Sequence, residues 1–138
     1  MGKIILDVND VCKSYDYGPN NLEVLKNFSI QLNRKEIITI SGQSGCGKST
    51  ALNIMGTLDK QDSGTIFFEG IDINKLDENS LAKFRNTKIG FVFQFHHLLP
   101  ELTALENASI PLWIKDEAVL DHHLIDLFET LGIKDRMN

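Results

Sequence analysis

Three neighbouring features of the sequence predict an α/β fold. Ile37-Ile38-Thr39-Ile40 is a continuous, mostly β-branched run, the pattern of a strand buried on both faces. The glycine-rich stretch Gly42-Gln43-Ser44-Gly45-Cys46-Gly47-Lys48-Ser49-Thr50 follows at once. Ala51, Ile54, Met55 and Leu58 then recur at helical spacing, with Gly56 weakening that helix slightly.

The flanking elements follow the same logic. Ile4, Leu6 and Val8 share one face and Asp7 and Asn9 the other, which predicts a half-buried strand over 4–12. Gly18-Pro19-Asn20-Asn21 is a turn cluster, and Phe28, Ile30 and Leu32 alternate with polar residues as a second strand. Asn33-Arg34-Lys35 turns the chain into the β-branched run. Beyond the helix, Asp62-Ser63-Gly64 is a turn, Thr65 to Glu69 a strand, 78–86 a helix and Ile89 to Phe93 an apolar strand ending at Gln94. From Thr103 the chain reads as helical stretches broken at Pro111. Thr103 and Glu106 form a capping box, and Leu120, Leu124, Leu127, Phe128 and Leu131 mark one face of a last helix.

At 138 residues the length fits one domain with a real core, and 42% hydrophobic with 24% charged residues is ordinary for a soluble protein. A net charge of −5 argues against nucleic acid as a partner, because counterion displacement needs a basic surface. Lys83, Arg85 and Lys88 read as a solvated face. Cys12 and Cys46, far apart and without a secretory signal, make no disulfide framework. No apolar run approaches the ~20 residues of a membrane span. Met1-Gly2 lacks the Ser or Thr that a myristoylation signal needs at position 6, which is Leu6. A cytosolic location is expected.

The stretch Gly42 to Thr50 fits G-x-x-x-x-G-K-[ST]. Glycines let the backbone close around phosphate oxygens, and successive N–H groups form an anion-binding concavity. A helix starting there adds orphan N–H groups and its dipole. Lys48 brings a positive charge to the outer phosphates of a nucleoside triphosphate, and Ser49 a hydroxyl for Mg²⁺. Cys46 holds a variable position and implies no thiol chemistry. Two other motifs mislead. Asn74-Lys75-Leu76-Asp77 imitates a guanine-reading N-K-x-D, but no D-x-x-G accompanies it, and it reads as a surface turn. Ile110 to Glu117 imitates an apolar strand ending in acids, but Pro111 and Lys115 contradict a central strand, so Asp116-Glu117 reads as the first turn of a helix. His96 and His97 read as a polar loop pair, not metal ligands.

Ile89-Gly90-Phe91-Val92-Phe93-Gln94-Phe95-His96-His97-Leu98-Leu99-Pro100, then Glu101-Leu102-Thr103-Ala104-Leu105-Glu106-Asn107, with Lys13-Ser14-Tyr15 upstream, resembles the ATP-binding subunits of ABC transporters. Within that family the stretch resembles the lipoprotein-releasing group. The resemblance covers the whole chain. It implies a phosphate-loop NTPase fold: an N-terminal antiparallel β region, part of a RecA-like core and part of a helical subdomain, with residues 1–138 as the N-terminal portion of a single ATP-binding domain. It also implies ATP and Mg²⁺ as ligands. Tyr15 would stack on adenine, with Tyr17 as a rival, and Gly42 to Thr50 would hold the phosphates. Ser49 and Gln94 would touch Mg²⁺, Gln94 also the attacking water. The partners implied are a second ATP-binding subunit and an integral membrane subunit bound through the loop after Gln94, with the protein peripheral on the cytoplasmic side of the inner membrane. One departure is Lys35, where the family usually has Gly, so that turn must be made by a residue with a Cβ. The other is that the family's Ser-Gly-Gly signature, Walker B strand with catalytic Glu, and switch His do not occur in these 138 residues, so no catalytic residue is assigned. A short chain that binds ATP without hydrolysis, or another phosphate-loop enzyme, are the alternatives.

Overall fold

A computed structural model of the chain describes residues 2–18, 20–115 and 121–137. Its first unit, Met1–Arg85, is built on a hairpin of two long strands, β1 (Ile4–Tyr17) and β2 (Asn20–Asn33). The turn predicted around Gly18 joins them, with Gly18 at φ +65°. β3 (Ser63–Phe68) pairs with the other edge of β1, and the short β4 (Ile71–Asp72) with β3, giving an antiparallel sheet of order β2-β1-β3-β4. Both hairpin strands run beyond the predicted segments.

β1 carries a bulge that alternation alone does not show. Val8 pairs with Ile30 and Val11 with Phe28, while Asn9 pairs with Thr65 and Cys12 with Ser63, so β1 spends one extra residue against both neighbours. Asp10 takes φ +49°, and its N–H donates to Ser29 Oγ at 2.9 Å. Gly64 of β3 lies against this bulge. A Cβ there would come within 2.6 Å of the Asp10 carbonyl oxygen, and the residue sits at φ +92°. The inward parity therefore passes from Leu6 and Val8 to Val11, Lys13 and Tyr15. Val8, Val11 and Ile66 are fully buried, each worth about 1.5–3 kcal/mol of transfer free energy.

Helix α1 (Lys48–Met55) follows the glycine-rich loop and packs on β2, burying Ala51 and Ile54. Helix α2 (Glu78–Lys88) starts where Asp77 Oδ1 accepts from the Ser80 N–H at 2.7 Å, and its Phe84 meets Phe68 edge-on at 5.0 Å. Arg85 does not stay solvated as predicted. It donates to the Thr57 carbonyl at 2.9 Å.

The second unit, Asn86–Asn138, holds α3 (Ala104–Ile114) and α4 (Asp121–Thr130), with Phe128 buried. The predicted capping box is present: Thr103 Oγ1 accepts from the Glu106 N–H, and the Glu106 carboxylate from the Thr103 N–H.

Three expectations are corrected. Residues 37–40 and 89–93 form no strand among the described residues. Ile37 and Val92 are almost wholly exposed, at 94% and 102%. Their composition suits buried central strands, but a strand needs a hydrogen-bonded neighbour, and no described segment provides one. Pro111 does not break α3. It sits in the last turns, where it removes only the donor for the Asn107 carbonyl, and the capped first turn holds the helix. Leu120 and Asp116-Glu117 lie outside the described residues.

Candidate phosphate-binding site

The loop 42–47 is held from two sides. Gly47, the residue before α1, takes φ +89°, and a Cβ on it would meet the Val24 carbonyl oxygen at 2.8 Å and Leu25 Cδ2 at 3.0 Å. The loop thus rests directly on the backbone of β2, a close approach that only glycine permits. Gly47 offers no side chain to cap α1, and no acid stands in the first turn. The first N–H groups of the helix are therefore free of side-chain competitors, which suits an anion.

Lys48 lies over this loop. Its ammonium donates to the carbonyls of Gly42 at 2.9 Å and Gln43 at 2.5 Å, and stands 3.6 Å from Cys46 Sγ. The charge is confined to the loop that presents the N–H groups. Ser44 and Ser49 are exposed, as is Cys46, while Thr50 is half-buried. The arrangement fits a polyphosphate: a positive charge, the uncapped first N–H groups of a helix and an exposed hydroxyl at the helix start. No group of three or more acidic, His or Cys side chains able to hold a metal occurs among the described residues.

Tyr15 is brought to the same site by the bulge. Its phenol donates to Asp59 Oδ2 at 2.5 Å. The bond to Asp59, then burial, raise the phenol above its ordinary range, so it stays neutral. Lys13 Nζ stands 5.0 Å over the ring, donates to Asp59 Oδ1 at 3.0 Å and to the Lys60 carbonyl at 2.5 Å. Burial would raise the Asp59 carboxyl, but the bonds from Tyr15, Lys13 and the Lys60 N–H together outweigh it and hold it low. The bond to Asp59 raises Lys13 in turn. Both shifts favour the charged pair. Tyr15 remains 39% exposed, so part of the ring is open. The side chain of Tyr17 lies outside the described part.

Gln94 belongs to the second unit, exposed in an irregular stretch rather than fixed at the end of a buried strand. Next to it Phe95, Leu98 and Leu99 are exposed at 71%, 62% and 50%. Asn107 clamps this loop from α3: Oδ1 accepts from the Leu99 N–H at 2.9 Å, and Nδ2 lies within 3.0 Å of the Leu99, Leu102 and Thr103 carbonyls. His97 packs edge-on against Phe93 at 4.8 Å, in keeping with a loop role.

No sequence pattern assigned a role to Asp59, and Lys13 and Asn107 stood in recognised stretches without an assigned role. Asp59 lies 44 residues from Tyr15 and no spacing rule joins them. Asn107 carried no distinguishing signal, because Glu106 and Ser109 in the same turn are polar too. Asn74-Lys75-Leu76-Asp77 is the surface turn expected. Asn74 is engaged by Gln61, the Asn74 N–H donates to Asp72 Oδ1, and Asp77 caps α2.

A G-x-x-x-x-G-K-[ST] loop that runs directly into a helix is the fingerprint of a phosphate-loop NTPase. The chain belongs to the ABC transporter family, whose model matches residues 25–138. Among individual proteins, it is 52% identical over 110 residues to the lipoprotein-releasing system ATP-binding protein LolD of Geobacter metallireducens, covering 80% of this chain and 49% of that one. With LolD of Bdellovibrio bacteriovorus the identity is 44% over 129 residues, covering 92% and 59%. A dimeric post-hydrolysis state of the ATP-binding cassette MJ0796, bound to ADP and Pi, superposes with a TM-score of 0.87 at 36% identity, covering 96% of this chain and 60% of that one. The chain thus spans about half to three-fifths of the length of these relatives.

Proposed function

We propose that residues 1–138 are the N-terminal portion of an ATP-binding domain that energises an ABC transporter, with lipoprotein release from the inner membrane as the transport process. The observation that carries this reading is the glycine-lined cradle of Gly42 to Thr50, with the Lys48 ammonium over it, in a chain half identical to LolD. ATP would be held by the loop N–H groups and Lys48 at its phosphates, and by the Tyr15 ring at its base. Ser49 would offer its hydroxyl to Mg²⁺, which supplies neutralising charge at the phosphates when bound. Hydrolysis belongs to the whole protein, as a dimer of ATP-binding subunits.

The exposed apolar loop at Phe95 to Leu105 would receive a short cytoplasmic helix of the membrane subunit. Two features support this: the side chains of Phe95, Leu98 and Leu99 face solvent, and Asn107 fixes the backbone that presents them. No helix among the described residues is long and apolar enough to cross a membrane, so the partner would supply the span. The protein would sit peripherally on the cytoplasmic side.

Lys48→Ala tests the site. It is expected to weaken ATP binding at least ~10-fold, about 1.4 kcal/mol, in a titration with labelled ATP. Equal affinities would falsify the assignment. In the full-length protein, Leu98→Asp is expected to leave ATP binding intact and to break association with the membrane subunit. A complex that survives pull-down makes the loop core packing instead.

A further inference from the structure

The cluster around Tyr15 contains a group that the phosphate loop does not need. Asp59 lies just beyond α1, where a solvated carboxylate would serve any surface turn. Here both oxygens are committed inward. Oδ2 accepts from the Tyr15 hydroxyl at 2.5 Å and Oδ1 from Lys13 Nζ at 3.0 Å. Lys13 is held in turn over the ring, 5.0 Å from its centroid. Asp62 adds a second acid to the Lys13 side, 3.9 Å from Nζ, and its Oδ2 accepts from the Ser14 N–H at 2.6 Å. One end of the ring is thus tied to Asp59 and one face is covered by a cation, while the side chain stays 39% exposed.

We propose that Asp59 is a positioning residue for base binding: it fixes Tyr15 and Lys13 together, so that the uncovered face of the ring is presented to the purine of ATP. The inference rests on the ATP reading above and deepens it. A tyrosine with a free hydroxyl would swing through its χ1 rotamers and lose ordering entropy on stacking. With its hydroxyl bonded and one face blocked, the ring meets the base already ordered. The Lys13 charge on the far face draws on the ring's π-density. Asp59 acts through the ring and the lysine that it holds.

The test compares MgATP with Mg-tripolyphosphate, which has the phosphates but no base, on the full-length protein. Tyr15→Phe keeps the ring and the Lys13–Asp59 pair and removes only the bond to Asp59, so it is the cleanest variant. Tyr15→Phe and Asp59→Asn are each expected to weaken ATP binding by about 3–10-fold, the range an aromatic contact supports. Both are expected to leave tripolyphosphate within about 2-fold of the parent. The double variant should lose no more than the larger single loss. Asp59→Glu, which can regain the bond to the phenol, should recover part of the ATP affinity. If Tyr15→Ala loses ATP selectively while Tyr15→Phe and Asp59→Asn do not, the positioning role is overturned and the ring's role stands. If Asp59→Asn weakens ATP and tripolyphosphate equally, Asp59 is structural and the proposal fails. If Tyr15→Ala changes neither ligand, the stacking reading itself falls, and the inference with it.

Discussion

Lys35 shows how a single backbone angle passes from sequence to structure. The turn after β2 takes φ +65° at this lysine, a left-handed conformation that crowds a Cβ. The turn is held by Glu36, whose carboxylate accepts from the Asn33 N–H at 2.7 Å and Asn33 Nδ2 at 3.0 Å. The bond from the Asn33 backbone keeps that carboxyl below its ordinary range. Because the hydrogen bonds do not involve the lysine side chain, Lys35→Gly removes strain and keeps the turn. It is expected to raise stability by about 1 kcal/mol, read as a higher midpoint in urea with an unchanged slope. The requirement was legible beforehand, because Lys35 stands where a glycine was expected. Gly47 was legible only in part. Its motif announces phosphate chemistry, but its contact with the Val24 carbonyl depends on how β2 passes beneath the loop, which no local pattern encodes.

The element that decides the geometry of the site is the β1 bulge. Without the extra residue at Asn9–Asp10, the inward face after Val8 would hold Asp10, Cys12 and Ser14. With it, that face holds Val11, Lys13 and Tyr15. Gly64→Ala is expected to force the bulge away from β3, since its Cβ would stand 2.6 Å from a backbone oxygen at a φ of +92°. The expected cost is at least ~2 kcal/mol, with selective loss of ATP over tripolyphosphate because Tyr15 loses its aim. Wild-type stability or unchanged ligand selectivity in this variant would refute the bulge's role. The Lys13–Asp59 pair also gives the sheet a pH signature. Asp59 is held below the ordinary carboxylate range, so its contribution is complete above that range and is lost as acid takes the pH down through the folded value. Lys13 is raised above 10.5, so its contribution is complete below that pH and is lost as the pH climbs through the folded value. Between these limits the pair should add a flat term. Asp59→Asn should narrow the difference between neutral and acid melting temperatures, whereas an unchanged difference means the pair adds nothing. The predicted strands at 4–12 and 65–69 were legible because their alternation matches a half-buried sheet. The first half of β2 was not, because its pairing with β1 shifts register between Val11 and Ser14, which scrambles the period.

At the scale of the whole chain, the apolar runs expected to form central strands are the least satisfied part of the molecule. Ile37 is 94% exposed and Ile38 37%, Val92 is 102% exposed and Phe93 46%, and none belongs to a ladder among the described residues. The sequence made these runs legible as buried strands, because burial preference is written in β-branched composition. Pairing is not written there. It depends on which segments lie alongside, and the chain spans only about half to three-fifths of the length of its relatives. Backbone donors and acceptors along an unpaired apolar segment can be satisfied by another chain as readily as by water, and the apolar side chains favour the former. The 138-residue polypeptide is therefore expected to associate, with an apparent mass in sedimentation that rises with concentration. Ile37→Lys separates this from general unfolding. At 94% exposure the isoleucine contributes almost nothing to the fold of the chain, so its loss should leave the melting temperature unchanged. The lysine should still lower association, because a charge on an open strand edge blocks pairing. A parent chain that stays monomeric across the concentration range, with one sharp cooperative melt, would show that residues 37–40 are satisfied within the chain itself. A variant that melts earlier would place Ile37 in the core and refute its exposure.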